Sequence, residues 1–110
     1  MTNRKMLYWV GTSRDDLRAF PCDARAEAGH QIDQVQSGQE PGDWRPMKTV
    51  GMGVREIRIK DEGNAYRVFY MVVTDRGVYV LHAFRKTSQK TKQKDINKGK
   101  ERYKEVMRSK

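Results

Sequence analysis

V-R-E-I-R-I-K-D-E-G-N-A-Y-R-V-F-Y-M-V-V-T-D-R-G-V-Y-V-L-H-A-F-R, residues 54–85, is the stretch whose reading decides the fold. Three runs dense in Val, Ile, Tyr and Phe are separated by the Gly-containing tetrads D-E-G-N and T-D-R-G, which is the pattern of an antiparallel meander. In the first run Arg55, Ile57 and Ile59 alternate with Glu56, Arg58 and Lys60, so one face is mainly apolar and the other charged. The second run sets Tyr66, Val68, Tyr70 and Val72 against Arg67, Phe69, Met71 and Val73, as expected of a central strand covered on both sides. Arg67 is the exception in that strand. Its structural explanation is an ion pair with Asp61 or Glu62 across the turn, and its functional one is contact with an anion. The third run is apolar on both sides apart from His82, and a lone histidine in a buried strand is more often a satisfied core residue than a catalyst. Arg85 and Lys86 follow where the strand gives onto a loop, a position suited to reaching a ligand.

Beyond the meander the composition changes. Residues 85–110 hold eleven Lys or Arg and three Asp or Glu, a net of +8 out of +9 for the whole chain. Within them Ile96, Gly99, Tyr103, Val106 and Met107 recur at helical spacing and predict an amphipathic helix over 92–107 with a basic outer face. Such faces are commonly just solvated; here the charge adjoins Arg85 and Lys86.

Before the meander, M-L-Y-W-V at 6–10 reads as a first strand, and its lack of alternation predicts burial on both faces. Ser13 and Asp16 form an S-x-x-D start for a short helix over 14–20, with Ser13 as its cap. Pro21 ends that helix and fits the first turn of a second one running to about residue 37. Ala24, Ala28, Gln31, Ile32 and Val35 make a thin apolar stripe on it, Gly38 supplies its stop, and His30 reads as a surface residue. Residues 39–53 carry two prolines and three glycines and read as a connection. Trp44 and Met47 are expected to pin that connection to the body of the domain, with Arg45 and Lys48 as candidate phosphate contacts.

At 110 residues the chain fits one domain, 1–110, with a modest core, since 36% of residues are hydrophobic and 34% charged. The basic balance points to a polyanion or an acidic protein. Cys22 is the only cysteine, which excludes an intramolecular disulfide and a cysteine-based zinc site and suits a reducing compartment. The apolar run before Gly11 is too short for a signal peptide or a membrane span, so the expectation is a cytoplasmic protein with no membrane partner.

The fold class expected is α+β, in the order β-α-α-β-β-β-α: a small, mainly antiparallel sheet with two N-terminal helices and a basic C-terminal helix. This order resembles the RelE superfamily of bacterial toxins, and more closely its phage-derived HigB-like branch. The residues that carry the resemblance are W-R-P-M-K-T-V-G at 44–51, V-R-E-I-R-I-K at 54–60, A-Y-R-V-F-Y at 65–70, V-L-H-A-F-R-K-T-S-Q-K-T at 80–91 and D-I-N-K-G-K-E-R-Y at 95–103. The resemblance implies the toxin of a type II toxin–antitoxin pair, a ribosome-dependent mRNA endoribonuclease that needs no cofactor or metal. In it the 2′-hydroxyl attacks the adjacent phosphate and leaves a 2′,3′-cyclic phosphate. The partners implied are the ribosome with its mRNA and a cognate antitoxin of helix-turn-helix type, operator DNA being reached only through the antitoxin. Carried over by position, Arg67 matches the arginine at the scissile phosphate, and Arg58 and Lys86 join it as catalytic candidates, with His82 as a possible proton-transfer group. Lys48, Lys60, Arg85, Lys90, Lys92 and Lys94 are the RNA- or ribosome-binding candidates. The position of the family's base-stacking tyrosine falls near Lys92 instead. A non-catalytic nucleic-acid-binding module, or one that binds an antitoxin or other acidic protein, is the alternative.

Overall fold

A computed structural model describes residues 4–74 and 76–109; Met1, Thr2 and Asn3, Asp75 in the second predicted turn, and Lys110 lie outside the described residues. The elements are β1 (Leu7–Trp9), α1 (Ser13–Arg18), α2 (Cys22–Gln36), β2 (Trp44–Pro46), β3 (Arg55–Asp61), β4 (Asn64–Val73), β5 (Gly77–Lys86) and α3 (Gln93–Arg108). They build an α+β protein around one five-stranded sheet in the order β1-β5-β4-β3-β2. The pairing is antiparallel except for β1 against β5. This is the expected architecture with one added strand.

The meander forms as its alternation predicts. Asp61 pairs with Asn64, leaving Glu62 (φ 48°) and Gly63 (φ 79°) as a two-residue loop with both residues left-handed, which is the backbone that follows the twist of two antiparallel strands. β4 and β5 pair in turn, with one irregularity: Phe69 faces His82 but Tyr70 faces Val80. Leu81 is the extra residue, so this β-bulge turns both Leu81 and His82 toward the same side of the sheet.

Two cores follow from the pleat. α1 and α2 cover one face, where Leu17, Phe20, Ala24, Ala28, Ile32 and Val35 pack on Ile57, Ile59, Tyr66, Val68, Tyr70, Val78 and Val80. The small residues of the α2 stripe, Ala24 and Ala28, are 1% and 0% exposed, which lets that helix lie close to the sheet. Gly38 (φ 84°) ends α2, its amide donating to the Val35 carbonyl at 3.0 Å. On the other face α3 and residues 47–54 enclose Val10, Val50, Val54, Phe69, Met71, Leu81, Phe84 and Val106.

Three expectations are corrected. Residues 44–46 are a strand, because Trp44, Arg45 and Pro46 pair with Ile57, Glu56 and Arg55, and edge position tolerates the proline. β1 is an edge strand, not one buried on both faces: Tyr8 is 38% exposed, though stacked on Tyr79 at 4.8 Å between centroids. Ser13 is the first residue of α1, not its cap; it is buried and donates from Oγ to the Val80 carbonyl at 3.0 Å. Thr12 takes the cap position, its Oγ1 donating to Asp16 Oδ2 at 2.8 Å. Among the described residues no helix is long and apolar enough to cross a membrane.

Candidate nucleic-acid interface

Directly opposed residues of an antiparallel pair project from the same face about 5 Å apart, so the register fixes which basic side chains meet. Arg58 opposes Arg67, which opposes Phe84 on its other side. One step toward the sheet end, Lys60 and Lys86 both oppose Ala65, a small residue that leaves the space between the two lysines open. One step the other way, Arg45 opposes Glu56, which opposes Phe69, which opposes His82. Arg45, Arg58, Lys60, Arg67 and Lys86 therefore share the face that α3 packs against. Asp95 and Gly99 of α3 meet His82 and Phe69, so the helix sits over that row and leaves the lysine end accessible. Lys60 is exposed, and Arg58 and Lys86 are half-buried.

Arg67 is the floor of this cluster. It is 4% exposed, and its Nε lies 3.6 Å from Glu56 Oε1, while Nη1 donates to the Tyr66 carbonyl at 3.0 Å. The partner is thus Glu56 on the neighbouring strand, not Asp61 or Glu62 across the turn. The cross-strand register brings Glu56 beside it, whereas the turn residues lie beyond the end of the paired row. Burial lowers the Arg67 pKa; Glu56 and Asp43 support its charge, and Arg58 and Arg45 oppose it. The Lys86 pKa is lowered too, by partial burial and then by Arg67, with Arg58 and Arg45 adding to it against Glu56. Four like charges held this close favour an anion among them.

His82 lies under α3, not at the open end. Its Nε2 is 2.8 Å from Asp95 Oδ1, its ring stacks on Phe84 at 4.9 Å, and Nδ1 is buried without a partner. Burial lowers its pKa despite the neighbouring Asp95 carboxylate, with Arg102 acting in the same direction as burial. Neutral His82 therefore donates from Nε2 to the carboxylate. A second buried polar link holds the same helix: Arg102 donates from Nη1 to the Leu81 carbonyl and from Nη2 to Thr12 Oγ1, both at 2.9 Å, with Asp16 at 3.9 Å.

The other candidates are dispersed. Arg85 opposes Tyr66 and so leaves from the face opposite Lys86, where its Nη2 donates to Asn64 Oδ1 at 2.6 Å. Adjacent strand residues project to opposite faces, which separates the pair that sequence proximity joins. Lys48 is exposed beside a shallow depression with Trp44, Pro46 and Arg55, away from Arg67. Trp44 and Met47 do anchor their segment: Trp44 carries the Arg55 guanidinium 4.1 Å above its ring, and Met47 packs on the α3-side core. Lys90, Lys92 and Lys94 are exposed on the segment from β5 into the first turn of α3, close in sequence to Lys86. Glu56, Asp95 and Arg102 escaped the sequence reading. The signal for Glu56 was its place opposite Arg67 once the hairpin register is set; Asp95 and Arg102 carry no local signal, because their partners are 13 and 21 or more residues away.

An α+β protein with a basic cluster on one uncovered part of its sheet is the class that fold and site define. The family described as Phage derived protein Gp49-like (DUF891) matches residues 15–104, and the chain belongs to it. That family is associated with toxin-like phage-derived proteins, and the fold is consistent with the RelE-like architecture. No curated protein matches the chain.

Proposed function

We propose that this chain is the toxin of a type II toxin–antitoxin pair of the HigB-like kind, an endoribonuclease that cuts mRNA on the ribosome. The observation that carries the reading is the convergence of Arg45, Arg58, Arg67 and Lys86 on one sheet face. In the reaction the 2′-hydroxyl gives its proton to solvent as its oxygen bonds to the adjacent phosphorus, the bond from phosphorus to the 5′-oxygen breaks, that oxygen takes up a proton, and the products are a 2′,3′-cyclic phosphate and a 5′-hydroxyl. Negative charge grows on the phosphoryl oxygens, and groups already in place to meet it lower the barrier without reorganising. Arg58 and Lys86 reach the surface and supply those contacts, while Arg67 holds positive potential beneath them and is itself fixed by Glu56. A lysine whose pKa is lowered gives up a proton more readily, which suits Lys86 to the departing 5′-oxygen. The cognate antitoxin, a helix-turn-helix protein in this reading, would keep the cluster from the ribosome.

A second reading, a module that binds RNA without cutting it, is favoured by one observation: both nitrogens of His82 are engaged or buried, which keeps that imidazole from serving as a base for the cluster. Programmed ribosomes with primer extension on the mRNA separate the two. Cleavage by the wild type that falls about 10²-fold in Arg58→Ala and Lys86→Ala, a typical cost of one preorganised contact to transition-state charge, supports the enzyme. Tight ribosome binding with intact mRNA supports the module. Arg67→Ala is a poor first probe, since stranding buried Glu56 costs about 3–5 kcal/mol of stability.

A further inference from the structure

On the face of the sheet opposite the basic cluster, a cleft of about 390 Å³ opens between the end of α2, the segment that follows it, and β3 and β4. Lys5, Val35, Glu40, Arg55, Tyr70 and Val72 line it. Tyr70 is 1% exposed, and its buried hydroxyl finds no hydrogen-bond partner among the described residues; burial raises its pKa, and the neighbouring Arg55 guanidinium counters that shift only in part. Arg55 lies over Trp44, its Cζ 4.1 Å from the ring centroid, and its Nη1 meets Glu40 Oε1 at 3.3 Å; the Glu40 side chain is 59% exposed. Lys5 is fixed at its backbone by Gln36, whose carbonyl accepts from the Lys5 amide at 2.8 Å and whose Nε2 donates to the Lys5 carbonyl at 2.9 Å.

Two cations and a buried hydroxyl thus line one cleft, and the one carboxylate among its lining residues, Glu40, is exposed and meets Arg55 only at Nη1. Val35 and Val72 add an apolar wall. We propose that this cleft docks an acidic side chain, Glu or Asp beside an aliphatic residue, from a protein partner, and that Glu40 is the internal stand-in for it in the free chain. A carboxylate seated deeper accepts from Arg55 and Tyr70 together and satisfies the unpaired hydroxyl. An exposed ion pair such as Glu40 with Arg55 is weak enough to be displaced. The occupant is a protein carboxylate because the stand-in is one and the wall is apolar. The site does not depend on the nuclease reading, and a partner bound here leaves the basic face free.

The test uses the full chain and a short peptide with one Glu between leucines, its Gln counterpart, and inorganic phosphate, followed by NMR at the Arg55 side chain and the Tyr70 ring. The Glu peptide moves both signals, and Glu40→Gln tightens it by clearing the stand-in. Tyr70→Phe, which removes only an unpaired hydroxyl and leaves the fold intact, weakens the peptide about tenfold, as loss of one hydrogen bond to a charged group does. Equal binding of the Gln peptide, preference for phosphate, or no effect of Tyr70→Phe would overturn the proposal. Ribosome-dependent cleavage by Glu40→Gln stays at the wild-type level, so the outcome is independent of whether cleavage is found.

Discussion

Arg67 and His82 sit on the same face of adjacent strands, each buried and each held by a carboxylate, yet their chemistry differs. A guanidinium keeps its proton at any working pH, so burial beside Glu56 makes Arg67 a fixed charge. An imidazole has the option of neutrality, and burial takes it. The sign of the resulting pH dependence follows. The unfolded chain protonates His82 near pH 6.5, whereas the folded chain does so only at lower pH. Between those two values the unfolded state binds more protons, so stability is full above about pH 6.5 and declines as pH falls toward the folded pKa. An NMR titration of the His82 Cε1 proton is expected to show its midpoint below 6.5, and denaturation midpoints to fall from pH 7 to pH 5 with a smaller slope in His82→Asn. A midpoint above 6.5 would mean that the Asp95 carboxylate outweighs burial, and the slope would then reverse.

Elements were legible in the sequence wherever the pattern was local. The three strands of the meander, the α2 stripe with its Gly38 stop, and the extent of α3 all follow from periodicity within a few turns or residues. What was not legible depends on pairing across the chain: the short β2, the exposed edge at β1, and the face on which each strand's basic residues emerge. Arg85 and Lys86 show why, because the pleat sends neighbours in sequence to opposite sides. The carboxylates that hold Arg67 and His82 were missed for the same reason. α3 combines both kinds of information. Its apolar stripe places Gly99 inward, but only the structure shows that a Cβ there meets Phe69 Cδ2 and Val50 Cγ1, each at 2.9 Å. Phe69 is fully buried, so its ring yields only by displacing its core neighbours. Gly99→Ala gains helix propensity of up to about 1 kcal/mol, yet overpacking a filled core costs about 1–3 kcal/mol. The expected outcome is a net loss, read by urea denaturation; a more stable variant would show that α3 shifts freely on the sheet.

For the whole molecule, charge is divided between a rigid part and a long-range part. The sheet holds Arg58, Arg67 and Lys86 in fixed register, which in the proposed function would discriminate a phosphate position, whereas Lys90, Lys92 and Lys94 stand exposed on the segment leading into α3. Two contributions of this kind have separate experimental signatures. A lysine that only neutralises backbone phosphate releases a counterion on binding, so its loss changes the slope of log affinity against log salt by about 0.7 per contact on single-stranded RNA. Replacing Lys90, Lys92 and Lys94 by Gln is therefore expected to flatten that slope by about 2 when all three meet phosphate, with cleavage at saturating protein unchanged. Arg58→Ala is expected to lower cleavage at saturation and to change the slope by about one contact at most. An unchanged slope in the triple variant would assign the three lysines to solvation, and the attraction for RNA would then rest on the sheet cluster and the outer face of α3. Loss of cleavage at saturation in the same variant would instead bring the segment between β5 and α3 into the reacting site.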